Sequence, residues 1–125
     1  MIIIKNYWRV SQSALPAGFS PLDEEWLVAP VEMILQLRPG HGVAYASWDD
    51  AKMVGHVTSL GVCLEKTDRG ARMDWREVQI TLMPLPQGRT QWRNRPFFRF
   101  DDTVIQRYGL ADLFAKRFTD LDQLN

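Results

Sequence analysis

Residues 52–82 read KMVGHVTSLGVCLEKTDRGARMDWREVQITL, and this stretch decides the fold. Lys52–Glu65 is a long apolar run, and Asp68-Arg69-Gly70 supplies a turn. Met73–Leu82 then alternates. Trp75, Glu77, Gln79 and Thr81 fall on one face, opposite Asp74, Arg76, Val78, Ile80 and Leu82. A side-chain period of two, rich in β-branched and aromatic residues, is the pattern of strands. Gly55 and Gly61 inside the apolar run predict bulges or bends, which a strongly curved sheet or small barrel needs.

Working outward, Val43–Trp48 is another alternating strand, and Asp49-Asp50 turns it into the long run. Ile2–Val10 reads as a first strand and Ser11–Pro21 as a loop broken by Pro16, Gly18 and Pro21. Asp23–Val28 is expected to form a helical turn. Pro30 opens a helix over Val31–Leu37, with Arg38 suited to its negative end. Downstream, Pro84, Pro86 and Gly88 close the sheet region. Asp101-Asp102-Thr103 starts a helix that Gly109 interrupts, and Leu110, Leu113, Phe114 and Phe118 recur at helical spacing. The order predicts a single α+β domain over 1–118, a small, strongly curved, mostly antiparallel β-barrel flanked by short helices, with a fraying tail at 119–125.

With 125 residues the chain suffices for one domain with a hydrophobic core, and 46% hydrophobic with 24% charged residues is ordinary for a globular protein. No apolar run reaches membrane-spanning length, and Met1–Lys5 is too short for a signal peptide, so a cytoplasmic protein with no membrane partner is expected. One cysteine, Cys63, excludes an internal disulfide and a cysteine-based zinc site.

Catalytic and metal motifs are missing. His41 and His56 are the only histidines, and they fit no metal-ligand spacing. No nucleophile elbow or phosphate loop is present. The chain therefore reads as a non-enzyme without metal or cofactor. An enzyme on this scaffold would have to draw its acid or base from Asp49, Asp50, Glu65 or His56.

What the composition does offer is arginine beside aromatic rings. Formal net charge is zero, yet Lys66–Arg99 holds eight basic residues against three acids. Thr90–Phe100, TQWRNRPFFRF, interleaves Arg93, Arg95 and Arg99 with Trp92, Phe97, Phe98 and Phe100. Phosphates attract arginine and bases stack on aromatic faces; a strand of PFFRF form also fills a β-core. Phe98 and Phe100 are assigned to the core, and Trp92, Arg93 and Arg95 to a loop preceding that strand. Five tryptophans is a high number for this length, and the indole N–H wants a partner. Trp26 and Trp75 are expected to plug the barrel, and Trp8, Trp48 and Trp92 to line a pocket.

Several of these segments together resemble the PUA-like superfamily, and within it the EVE domains, over roughly Tyr7 to Leu85. Tyr7-Trp8 is similar to the Tyr-Trp opening their first strand. Met33–Gly40 (MILQLRPG) looks like their helix leading into a Pro-Gly turn. Val43–Ser47, Lys52–Val57 and Trp75–Leu85 are similar to their successive strands, the last ending in a Pro-Leu segment. The chain departs from the pattern at His41, where an acid is usual, after Trp8, where a Ser-Glu-Pro pattern is missing, and in lacking a Trp-x-Gly-Val-Arg loop.

The resemblance implies a curved barrel that binds DNA or RNA, with a modified or flipped base in an aromatic pocket. Mapped onto this chain, the expected pocket comprises Trp8, Tyr45, Ser47, Trp48 and Trp92. The expected phosphate contacts are Arg72, Arg76, Arg89, Arg93, Arg95 and Arg99. A fused effector domain is compatible with such a module. The alternative is a protein-interaction factor, a small subunit or an inhibitor of a host complex, using the same tryptophans and arginines as hot spots.

Overall fold

The computed structural model describes residues 3–28 and 30–121. Six strands form one sheet in the order β2-β5-β4-β3-β1-β6, comprising β1 (Tyr7–Val10), β2 (Trp26–Leu27), β3 (Gly42–Asp49), β4 (Val54–Lys66), β5 (Ala71–Leu82) and β6 (Phe97–Arg99). Helix α1 (Val31–Ile34) lies between β2 and β3. Helix α2 (Arg89–Asn94) precedes β6, and α3 (Asp102–Tyr108) and α4 (Leu110–Arg117) follow it. The sheet is mixed, because β1 runs parallel to β3 while the other pairings are antiparallel. It curls into a half-barrel and leaves β2 and β6 as open edges, where the sequence predicted a small barrel.

Curvature arises at register slips between Tyr45 and Ala46 on β3, and between Val57 and Ser59 and between Cys63 and Glu65 on β4. None of these slips falls on Gly55 or Gly61, which the sequence marked as the bends. Those glycines serve close approach instead. A Cβ at Gly55 would lie 2.4 Å from the Trp92 ring, and one at Gly61 would lie 2.5 Å from the Trp75 ring. Each glycine gives an indole a flat seat on the strand.

The sheet is covered on both faces. Tyr7, Ala44, Leu60, Val78, Phe98 and Phe100 face α2, α3 and α4, whose Trp92, Leu110 and Phe114 close that core. Trp8, Val10, Val43, Cys63 and Met73 face the other way, onto Leu15, Leu27, Met33 and Leu37. Consecutive residues such as Tyr7-Trp8 and Val43-Ala44 are thus buried on opposite sides, as strand geometry requires. Burial of Phe100, Phe114 and Phe118 stabilises the helical layer by roughly 2–3 kcal/mol each.

Several local expectations hold. Pro30 occupies the N-cap of α1, which stops at Ile34 and not at the expected Leu37, and Arg38 Nη1 donates to the carbonyls of Leu35 (2.8 Å) and Leu37 (2.9 Å) just beyond it. The Asp101 carboxylate accepts from the Val104 N–H at 2.9 Å, capping α3. Gly109 ends that helix in the left-handed region at φ 64°. Others differ. Asp23–Val28 is not helical, because Trp26 and Leu27 pair with Arg72 and Ala71 and Leu27 is fully buried. Trp92 and Arg93 lie on a helix and not in a loop. The predicted tail is held as far as Leu121, whose N–H donates to the Phe118 carbonyl; Ile2 of the predicted first strand and residues 122–125 lie outside the described residues.

Candidate functional site

β1 ends at Val10, opposite Tyr45, so Ala46–Asp49 of β3 have no β1 partner. Helix α2 passes this end of the sheet, and between them opens a concavity of about 290 Å³. Ser47, Trp48, Trp92, Arg93 and Arg95 line it, so the structure brings five of the sequence-predicted site residues to one place. Trp92 is seated on Gly55 and is only 3% exposed, with Phe98 edge-on at 5.7 Å. The Trp48 ring tilts over Trp92 with centroids 5.9 Å apart, and its N–H donates to the Asp50 carboxylate at 3.0 Å. A flat ring slotted between two others needs roughly 7 Å, two contact distances of 3.5 Å. The two indoles therefore leave no slot between them, and the half-buried Trp48 is the ring that meets solvent.

Arg93 and Arg95 are exposed on the rim. Arg93 Nε donates to Asp50 at 2.7 Å, whereas Arg95 has no side-chain partner among the described residues. The Trp48 N–H, followed by the Arg93 guanidinium, holds the Asp50 carboxyl below its usual range.

The floor of the concavity is Arg9, which sequence reasoning missed. It is 2% exposed. Its Nε donates to the Ala46 carbonyl (3.1 Å), and its Nη1 donates to the carbonyls of Trp92 (3.0 Å) and Arg95 (3.1 Å). The side chain thus fills the edge that β1 vacates and ties it to the end of α2. Its guanidinium carbon lies 4.8 Å from the Trp92 ring centroid and 5.9 Å from that of Phe98. Burial lowers its pKa to about 10, which leaves it charged at neutral pH. The available signal was an arginine in YWRV, a strand apolar on both faces.

The remaining predicted residues lie elsewhere. Trp8 is 4% exposed in the opposite core, its N–H donating to His41 Nδ1 at 3.3 Å, so it offers no stacking face to a ligand. Tyr45 packs toward Phe19 on that same side, and its hydroxyl donates to the Gln12 amide oxygen. Arg72 is paired with Glu65 at 3.1 Å. Arg76 is paired with Asp74 (2.9 Å) and Asp120 (2.6 Å). The Nε of Arg89 is buried without a partner among the described residues. Arg99 donates to Asn6 at 3.2 Å at the far end of the sheet, near Arg38 and Lys66. The eight basic residues of Lys66–Arg99 accordingly do not form one basic face. Of the tryptophans expected to plug a barrel, Trp26 is exposed and Trp75 is half-buried, with its N–H sealed without a partner among the described residues.

Other groups fit a ligand less well. A concavity of about 370 Å³ is lined by Asp23, Glu24, Glu25 and Asp74, a field that repels phosphate. His56 Nε2 lies 3.3 Å from Asp49 Oδ2, and His56 pairs across the sheet with Ser47. No hydrogen bond joins Ser47 to His56 among the described residues, so the nucleophile contact of a hydrolytic site is not formed. Cys63 is buried, and burial pushes its thiol up to about 11. Among the described residues no group of three His, Cys, Asp or Glu could hold a metal ion, and no helix is long and apolar enough to cross a membrane.

No protein-family model matches the chain, and no curated protein or solved structure matches it significantly.

Proposed function

We propose that this protein is a non-catalytic nucleic-acid-binding module of PUA/EVE-like architecture. An unpaired or flipped base, modified or not, lies on the solvent side of Trp48 within reach of Ser47, and the strand's phosphates meet Arg93 and Arg95. The observation that carries this reading is the concavity itself, which joins an accessible indole to exposed guanidiniums at one end of the sheet. Base–aromatic stacking is worth about 1–3 kcal/mol per base, and arginine–phosphate contacts make the affinity fall with salt. Arg93→Glu with Arg95→Glu is expected to weaken binding across a panel of DNA and RNA oligonucleotides. Trp48→Ala is expected to remove preference among bases. Fluorescence anisotropy at several salt concentrations reads both effects, and wild-type affinity in both variants would refute the reading.

A second reading, a protein-interaction factor, is favoured by a different surface. Trp26, Val28, Val31 and Leu35 are exposed within ten residues, Val31 at 67% and Leu35 at 64%. Val31 and Leu35 are one helical turn apart, and exposed apolar side chains gathered this way mark contact surfaces. Pull-down from a nuclease-treated lysate separates the two readings, since a stoichiometric protein retained there, and lost on Leu35→Glu, supports the second.

A further inference from the structure

Arg9 is a buried cation with no anion beside it among the described residues. The other arginines of the sheet and of α2 that make ion pairs do so with carboxylates of this chain, Arg72 with Glu65, Arg76 with Asp74 and Asp120, and Arg93 with Asp50. No carboxylate pairs with Arg9 among the described residues, although it is the most deeply buried of them. A guanidinium taken out of water without a counter-charge is costly, and carbonyl dipoles and ring faces offset only part of that cost.

The donors can be counted. A guanidinium carries five N–H groups. The single Nε–H is taken by Ala46, and both hydrogens of Nη1 are taken by Trp92 and Arg95. Nη2 has no acceptor among the described residues. It is not sealed either, because the buried side-chain nitrogens left without a partner are Trp75 Nε1 and Arg89 Nε. Nη2 therefore keeps a trace of accessible surface within the 2% exposure of the whole residue, and the opening beside it is the concavity Arg9 lines with Ser11, Ser13, Asn94 and Arg95. The carbonyl contacts fix the plane of the guanidinium, so the two Nη2 hydrogens, which diverge on the one nitrogen, are held with their orientation already set. A preorganised charged donor of this kind suits a phosphate oxygen.

We propose that Arg9 is an anion receptor, and that the concavity takes one phosphate group on Nη2 with Arg95 closing over it from the rim. On the nucleic-acid reading above, on which this source depends, the group is a phosphate of the bound strand. The other source of the same chemistry is a free small phosphate. Arg9 then anchors one phosphate at a fixed place, whereas Arg93 and Arg95 add affinity at any position along the strand.

Two measurements on the intact protein test this without altering Arg9. Inorganic phosphate is titrated at constant ionic strength, with chloride as the balancing anion, and the Arg9 side-chain Nε–H resonance is followed by NMR. A saturable shift is expected, weakened about two- to fivefold in Arg95→Ala, the effect of one exposed charge. An Arg9 resonance that does not move overturns the proposal. Next, an oligonucleotide that binds is scanned with a single neutral methylphosphonate linkage at each position. One position is expected to cost about tenfold while the others cost little, since a hydrogen bond to a charged group is worth about 1.5–3 kcal/mol. A flat scan overturns the anchor and leaves the nucleic-acid reading standing. Phosphate bound at Arg9 with no oligonucleotide bound at all supports the receptor, assigns it to a small phosphate, and overturns the nucleic-acid reading.

Discussion

Arg9 and Arg76 are two arginines on the same face of one sheet, each stacked on an aromatic ring of the layer above. The Arg9 guanidinium carbon lies 4.8 Å from the Trp92 ring centroid, and that of Arg76 lies 4.4 Å from Phe118. Around Arg76 the chain supplies Asp74 and Asp120, and the Arg117 carbonyl accepts as well, so the charge is used up in fastening the end of α4 to β5. Around Arg9 the described residues supply carbonyls as its only hydrogen-bond acceptors. Both residues tie a helix to the sheet, but only Arg76 is neutralised. The difference separates an arginine whose partners are all internal from one whose partner set is incomplete, and that separation, more than arginine count or exposure, points to where an anion is received.

The largest effect is expected at Arg9. Arg9→Met keeps most of the side-chain volume but strips the carbonyls of Ala46, Trp92 and Arg95 of their donor. Leaving buried acceptors unpaired should destabilise the fold by about 3 kcal/mol, read by urea unfolding. Because no carboxylate takes part, the loss should be the same at neutral pH and at about pH 3. Arg76→Met should cost about 1 kcal/mol at neutral pH, the worth of a partly exposed pair. Its pH dependence has a definite sign. The Arg76 guanidinium holds the Asp120 carboxyl below its ordinary value of 3.8, so the pair's contribution is fully present above that value and is lost as pH falls through the lower folded one. A larger loss at Arg76 than at Arg9, or an Arg9→Met effect that fades in acid, would break the comparison.

The middle of the chain was legible because β3, β4 and β5 are long enough for a period of two to declare itself. β2 was not, since two residues carry no period and only the pairing of Leu27 with Ala71 makes them a strand. Helix α2 was missed for a similar reason. Its six residues hold one apolar side chain, Trp92, and its position over Gly55 is a tertiary fact. At the site, Ser47, Trp48, Arg93 and Arg95 could be named from residue type, because residues near strand ends and turns that reach the surface are read from local composition. Trp8 could not be placed that way, because its polar neighbours gave no hint that β1 is covered on both faces. Arg9 depends on contacts with residues more than eighty positions away, to which a single sequence gives no access.

Arg93 stands between the two extremes and gives the smallest effect. It is paired with a carboxylate, as Arg76 is, yet it lines the concavity floored by Arg9. Asp50 accepts from both Trp48 and Arg93, so it restrains the two rim groups that the nucleic-acid reading uses. Asp50→Asn keeps an acceptor for the indole while removing the negative charge. The pair is exposed, so stability should hardly change. Oligonucleotide affinity at low salt should instead rise about two- to fivefold, because an approaching phosphate no longer competes with Asp50 for Arg93. The gain should shrink as added salt screens the rim, within a Debye length of about 8–10 Å at physiological ionic strength. Unchanged affinity would place Arg93 with Arg76, as an arginine spent on the fold, and would leave Arg95 and Arg9 as the cations that meet a strand.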